Sequence, residues 1–263
     1  MTSLTADDVT LVYRRRGVDH AALDGVSLEV APGSAIGIAG ESGSGKSSLA
    51  RLLVGIAQPT SGTVRWGTQP LHRLPRRGPG SRAQTVQLIL QDPSSALNPR
   101  MTIGAMIEEA LQENGIAAGR RRGPEVEQSL RSVGLDPSYA QKHSFQLSGG
   151  ERQRVSIARA VALSPQVLIC DEVTSALDVS VQASVLNLLS DLRRQTGMAL
   201  VFVSHNLDVI RYLCDDVLVL LQGRAVESGA ADRVLSTPEH PYTRQLIDAV
   251  PRLGRHILEE DHA

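Results

Sequence analysis

The sequence predicts an α/β fold with a parallel sheet core, an N-terminal antiparallel β subdomain and an inserted α-helical subdomain. Three observations carry this. Short apolar runs of strand length alternate with stretches of helical periodicity, the signature of a parallel sheet flanked by helices. The segment up to Val30 instead alternates apolar and polar residues at period two. From Asp92 to Gln146 the pattern is mostly helical, is broken by Gly and Pro, and falls between two core strands.

In chain order, Val9, Leu11 and Tyr13, then Val26, Leu28 and Val30, and then Thr63–Trp66 read as antiparallel strands on the edge of the core. Ala35–Ala39 reads as a buried strand. Leu49, Leu52, Leu53 and Ile56 then recur at i, i+3, i+4 and i+7, one face of a helix. His72–Arg82, rich in Pro, Gly and Arg, reads as a mobile surface loop. Val155, Ala158, Val161 and Ala162 mark a helix that starts near Ser148. Val167–Cys170 is a further strand. Val185, Leu188, Leu189 and Leu192 form a helical stripe closed near Gly197, and Ala199–Ser204 is the next strand. Residues 167–204 thus predict a βαβ unit with a right-handed crossover. Val217–Leu221 has strand length, and Tyr242, Leu246, Ala249 and Val250 predict the buried stripe of a C-terminal helix.

Composition narrows the function classes. With 27 basic against 28 acidic residues and a net charge of -1, nothing draws the chain to nucleic acid. The runs Arg14–Arg16 and Arg120–Arg122 read as solvated loops. Cys170 and Cys214 lie far apart with no CxxC, which suits a reducing compartment and argues against a disulfide framework or a metal centre. The N-terminus lacks the basic start and apolar core of a signal peptide. No apolar run approaches the roughly 20 residues that span a bilayer. The expectation is a cytoplasmic protein whose membrane role comes through a partner.

The chemistry begins at Gly40-Glu41-Ser42-Gly43-Ser44-Gly45-Lys46-Ser47, a G-x-x-x-x-G-K-[ST] phosphate loop set between a predicted strand and a predicted helix. Backbone N–H groups of such a loop wrap phosphates, and the helix adds its positive end. Gly40, Ser42, Gly43, Gly45, Lys46, Ser47 and Ser48 are the phosphate-binding candidates. Lys46 reaches the β- and γ-phosphates, and Ser47 helps to hold Mg²⁺. Asp171 and Glu172 end the strand Val167–Cys170, where buried carboxylates are costly unless they serve a cation or a reaction. Asp171 is the second Mg²⁺ candidate and Glu172 the general base for water; the rival reading is a helix-capping acidic pair. His205 ends the strand beside them, at the edge where open α/β sheets bind ligands, although a lone His is more often structural.

Leu147-Ser148-Gly149-Gly150-Glu151-Arg152-Gln153-Arg154 supplies a second anion site, with Ser148 capping a helix whose first amides two glycines expose. An ordinary capped helix is the plain alternative. Two phosphate sites for one nucleotide make sense if they belong to different subunits of a head-to-tail dimer.

LSGGERQR resembles the signature of the nucleotide-binding subunits of ABC transporters, and the resemblance runs along nearly the whole chain. It implies a P-loop (RecA-like) core over 1–91 and 161–235, a helical lobe over 92–160 and a C-terminal helix and tail over 236–263, all in one nucleotide-binding domain. It implies ATP and Mg²⁺ as ligands, and ATP hydrolysis as the reaction. It assigns Tyr13 to stacking on adenine, and Gln91, in Ile89-Leu90-Gln91-Asp92-Pro93, to linking metal, water and helical lobe. Ser148, Gly149, Gly150, Glu151 and Asp178 become contacts to nucleotide across the dimer, Asp178 within Ser175-Ala176-Leu177-Asp178. His205 becomes the histidine on the γ-phosphate.

Residues 91–100, QDPSSALNPR, and the tail 237–246, TPEHPYTRQL, are similar to the oligopeptide/dipeptide/nickel import branch. That branch implies two transmembrane permease subunits, a second related ATPase subunit (a heterodimer, or else a homodimer) and an extracytoplasmic substrate-binding protein. The chain would then lie at the cytoplasmic face of the inner membrane. A non-transport ABC ATPase acting on nucleic acid or ribosomes, and an exporter subunit, are the alternatives. Three positions depart from the family pattern: Val173 for the usual proline, Glu151 for the commoner glutamine, and Cys170 inside its strand.

Overall fold

A computed structural model describes residues 2–15, 18–78, 80–116, 122–175 and 177–249. Its strands are β1 (Leu4–Arg15), β2 (Val18–Val30), β3 (Ala35–Ala39), β4 (Ser61–Trp66), β5 (Gln69–Pro70), β6 (Val86–Ile89), β7 (Val167–Asp171), β8 (Ala199–Val203), β9 (Asp216–Leu221) and β10 (Arg224–Ala230). Its α-helices are α1 (Lys46–Leu53), α2 (Arg82–Thr85), α3 (Pro93–Ala96), α4 (Ile103–Glu113), α5 (Arg122–Ser132), α6 (Gly149–Val161), α7 (Val179–Thr196), α8 (Leu207–Leu213), α9 (Ala231–Ser236) and α10 (Pro241–Asp248).

Six strands form a sheet in the order β10-β9-β3-β8-β7-β6. Within it β9, β3, β8, β7 and β6 run parallel, and β10 closes one edge antiparallel to β9. Every residue of β3, β7 and β8 is buried, as a sheet covered on both faces requires. The alternation of their side chains sorts them into two cores. Leu168, Cys170, Leu200, Phe202, Val217 and Val219 join the helices α4–α9 on one face. Ile36, Ile38, Ile169, Val201, Val203 and Leu218 join α1 and the second sheet on the other. That second sheet, β2-β1-β4-β5, is antiparallel, as the period-two pattern predicts.

The βαβ expectation holds: β7 and β8 are parallel neighbours joined by α7. Asp178 caps α7 through its carboxylate, and Gly197 ends it at φ 70°, the left-handed stop that only glycine adopts freely. The helices α3 to α6 lie between β6 and β7 in the chain, where the sequence predicts an insertion. Among the described residues no helix is long and apolar enough to cross a membrane.

Five details differ from the sequence reading. Ile56 lies beyond the end of α1 and is exposed, because Gly55 at φ 73° has already turned the chain. Leu186, not Leu188, shares the buried face of α7 with Val185, Leu189 and Leu192. On α6 Val155 and Ala158 are fully buried, whereas Val161 and Ala162, near its end, are half-buried. On α10 the buried residues are Tyr242 and Thr243 while Ala249 is exposed, and Val250 lies outside the described residues. The stretch 72–82 is not a free loop either. Leu74 and Ser81 are buried in it, the Gly78 amide donates to Asn114 O at 3.1 Å, and Arg77 pairs with Glu113 of α4.

Gly37 of β3 shows how closely α8 packs on the sheet: a Cβ there would lie 2.4 Å from Ile210 Cγ2. Gly37→Ala is expected to cost about 1–3 kcal/mol by overpacking, measured by urea unfolding. In an Ile210→Ala background the added cost should largely vanish; an equal cost in both backgrounds would assign the loss elsewhere.

Candidate nucleotide site

The loop after β3 is pressed between two other strands. A Cβ on Gly40 would lie 2.3 Å from Leu220 O, and one on Gly45 would lie 2.6 Å from Ala22 O. Gly40, Gly43 and Gly45 adopt φ of 144°, 82° and 107°, values that L side chains rarely reach. Gly43 differs from the other two, since a Cβ there would meet nothing within 4 Å: it faces the open cleft. Gly45 precedes α1 with no side chain capping that end, so the first amides of α1 remain available to an anion. Lys46 is buried, and its ammonium donates to Gly40 O and Glu41 O, both at 2.7 Å. Burial lowers its pKa, while the carboxylates of Glu172, Asp171 and Glu41 oppose that shift.

Ser47 Oγ donates to Asp171 Oδ1 at 3.1 Å. Burial raises the Asp171 pKa, and the Ser47 hydroxyl works against it. A hydroxyl beside a carboxylate at the end of a phosphate loop is the kind of oxygen donor set that Mg²⁺ takes, so these residues fit the metal. Glu172 follows at φ 51°, a left-handed conformation that costs a non-glycine residue roughly 1–3 kcal/mol. Three bonds hold it there: its amide donates to Val203 O at 3.0 Å, while its carbonyl accepts from Ser175 N at 3.2 Å and Ser175 Oγ at 2.9 Å. A proline at 173 would push the residue before it toward extended backbone; Val173 leaves Glu172 free of that restriction. Glu172 Oε1 lies 3.5 Å from His205 Nδ1. The Cys170 thiol is fully buried and its pKa is pushed far up by that burial, so it is no nucleophile or ligand.

One cleft of about 320 Å³ gathers Tyr13, Ser42, Gly43, Gly45, Lys46, Ser47, Ser48, Gln91 and Glu172. Tyr13 is 40% exposed at its mouth. Gln91 Nε2 donates to Ser175 Oγ at 3.3 Å, which ties it to the turn that holds Glu172. A smaller adjoining cleft contains Glu172, Ser175, Ser204, His205 and Asn206. Sequence reasoning missed His20 and Ala22, which also line the main cleft. His20 stands directly across from Tyr13 in the β1–β2 register, and only the pairing register could have revealed it. It also missed Ser175 as the brace of Glu172.

Ser148–Glu151 and Asp178 are not among the cleft residues. Ser148 Oγ accepts from Glu151 N at 3.3 Å, and Ser148 N donates to Glu151 Oε2 at 2.7 Å, a reciprocal capping box at the start of α6. The other Glu151 oxygen accepts from Tyr139 Oη at 2.5 Å. These bonds, Tyr139 foremost, hold the Glu151 pKa down at about 2. The side chain assigned to nucleotide contact is therefore engaged in shaping its own turn. A Cβ on Gly150 would lie 2.6 Å from Val181 Cγ1, so this turn is packed directly on α7. The Asp178 carboxylate is likewise engaged, accepting from Val181 N at 3.0 Å and Ser180 Oγ at 2.7 Å.

Comparison with known proteins agrees with this geometry. The family model described as ABC transporter matches residues 23–175. The one described as oligopeptide/dipeptide transporter, C-terminal region, matches residues 226–262. The chain is 45% identical over 258 residues to a di/tripeptide transport ATP-binding protein DppF of Pseudomonas aeruginosa, covering 96% of this chain and 80% of that protein. It is 42% identical over 233 residues to the dipeptide transport ATP-binding protein DppF of Escherichia coli, covering 89% and 70%. The dimeric ATP-binding cassette MJ0796, solved in a post-hydrolysis state with ADP and Pi, superposes with a TM-score of 0.75 at 26% identity, covering 87% of this chain and 98% of that one. A phosphate loop, an acidic strand end and a capped second turn, on this fold and with these relatives, place the chain in the ABC transporter ATP-binding family, in its oligopeptide/dipeptide branch.

Proposed function

We propose that this chain is the ATP-hydrolysing subunit of a peptide importer. In this reading it is paired with a second related ATPase subunit at the cytoplasmic face of the inner membrane, beneath two permease subunits. One observation carries the chemistry: Lys46, Ser47, Glu172 and Gln91 line one cleft, and Asp171 stands behind it, bonded to Ser47. The C-terminal match over 226–262 and the peptide-transport relatives support peptide, rather than nickel or a metal chelate, as cargo. An extracytoplasmic binding protein would deliver it.

The adenine stacks on Tyr13, with His20 on the facing strand, and the triphosphate lies along the amides of Gly43 to Ser48. Lys46 turns its ammonium to the β- and γ-phosphates. Ser47, Asp171 and Gln91 would hold Mg²⁺, which when bound neutralises charge on the phosphate oxygens. Glu172 accepts the proton of the water that attacks the γ-phosphorus, and His205 holds the γ-phosphate in line. The Ser148 hydroxyl, whose oxygen only accepts in the cap, keeps its proton to donate to the γ-phosphate bound by the other subunit. A groove of about 490 Å³ lined by Leu88, Leu90, Leu97, Glu109, Glu113 and Arg159 lies between β6 and the inserted helices. It is the natural seat for a permease's cytoplasmic helix, and Gln91, which lines the nucleotide cleft and follows the groove residue Leu90 in the chain, couples the two.

Lys46→Ala should abolish nucleotide binding in a calorimetric titration. Glu172→Gln should slow ATP turnover by about 10²–10⁴ while ATP still binds; unchanged turnover would remove Glu172 from the base role.

The Glu151 carboxyl, depressed from 4.5 to about 2, supports the signature turn fully above its unfolded value and loses that support progressively as pH falls from there through about 2. Tyr139→Phe should move its midpoint up toward the ordinary carboxylate range in an NMR titration. An unmoved midpoint would show that the Ser148 bonds alone set it.

Gentle purification of the tagged chain from native membranes should recover two multi-span permeases and a second ATPase. Recovery with ribosomes or nucleic acid in their place would refute import and leave the ATPase chemistry standing.

A further inference from the structure

The tail motif that marks the branch, residues 237–246, has a use that the transport reading leaves unassigned. Two carboxylate oxygens of Glu227 on β10 accept from the amides of Glu239 at 2.8 Å and His240 at 3.1 Å. His240 Nδ1 accepts from Tyr242 N at 3.2 Å and so caps α10, with Pro241 in its first turn. Arg244 Nε donates to Pro238 O at 3.0 Å, closing the loop from the other side. The start of α10 is thereby fixed, and it delivers the Tyr242 side chain to the backbone of the phosphate loop. Tyr242 is 7% exposed, and its hydroxyl oxygen accepts from the Glu41 amide at 3.0 Å.

Glu41 is the second residue of the phosphate loop. The Gly40–Glu41 peptide is held on both sides, its N–H by Tyr242 and its carbonyl, Gly40 O, by the Lys46 ammonium. An ammonium has three donors, and Lys46 spends two on the carbonyls of Gly40 and Glu41. To reach both β- and γ-phosphate it must release at least one of them. The Tyr242 bond does not depend on Lys46 and lies on the far side of the same peptide, so it persists when the ammonium leaves.

We propose that Tyr242 is a positioning residue for nucleotide binding, through which the branch-specific tail keeps the first turn of the phosphate loop in its binding shape while Lys46 engages phosphate. The inference rests on the reading of this loop as the ATP site. The test uses the full chain with Tyr242→Phe, which keeps the buried ring and removes only the acceptor. KM for ATP should rise about fivefold, the worth of one hydrogen bond, with kcat within about twofold of the parent. In the slow Glu172→Gln background the dissociation constant for Mg-ATP should weaken by the same factor. The Tm without nucleotide should scarcely change, while the rise in Tm on adding ATP becomes smaller. An unchanged KM would overturn the proposal. So would a fall in the nucleotide-free Tm with an undiminished ATP-induced rise, which is the mark of packing alone. A parent protein that fails to bind ATP would instead overturn the functional reading on which the inference stands.

Discussion

The parallel register of β3, β8 and β7 is the constraint on which the site depends. Val203 of β8 is level with Ile38 of β3 on one side and with Asp171 of β7 on the other. The three strands therefore end together, and the residues that follow them, from Gly40, Ser204 and Glu172 onward, leave the sheet at one edge. Segments up to 165 residues apart in sequence meet there, from Gly40 to His205. The Ser47–Asp171 hydrogen bond, 3.1 Å long, ties the phosphate-loop side of that edge to the end of β7. A slip of one residue in either pairing would turn each buried side chain to the opposite core and carry Asp171 away from Ser47.

This edge stores cost as well as order. Burial works against charge on both Lys46 and Asp171, and Glu172 is bent to φ 51°. Such features persist only where surrounding bonds over-determine them, and here those bonds are visible: the Val203 carbonyl, the two Ser175 donors and the two loop carbonyls on Lys46. An anion and a divalent cation would relieve the two buried charges without moving the backbone that holds them. On the proposed reading these buried charges are matched to a ligand of mixed charge.

What the sequence made legible was whatever local chemistry determines. The glycine spacing of the phosphate loop, the fully apolar strands, the Ser148 cap and the Gly197 stop each follow from residues within a few positions of one another. Contacts made by pairing or packing were not legible in that way. His20 enters the cleft through a hairpin register, Ser175 braces Glu172 through a turn, and Tyr242 reaches Glu41 across 201 residues. Periodicity also overran its helices at both ends of the chain, predicting burial for Ile56 and Ala249 where the helix has already ended. A glycine stops the first, and the second is the C-terminal cap of its helix.

The departures at Glu151 and Val173 gain a physical sense once placed. A glutamate at 151 can accept from Ser148 N and Tyr139 Oη with separate oxygens of one charged group, and charged acceptors make the stronger bonds. The resulting turn is stiff, packed on Val181 through Gly150, and presents the Ser148 hydroxyl from a fixed frame. Because none of residues 148–151 lines the cleft of its own chain, that frame cannot serve the phosphate loop beside it. Val179, just past Asp178 at the head of α7, is 84% exposed, an apolar side chain of the kind that interfaces cover. On the proposed reading a second subunit answers both features at once. It brings a phosphate loop to Ser148 and covers Val179, so that hydrolysis in either cleft requires the pair.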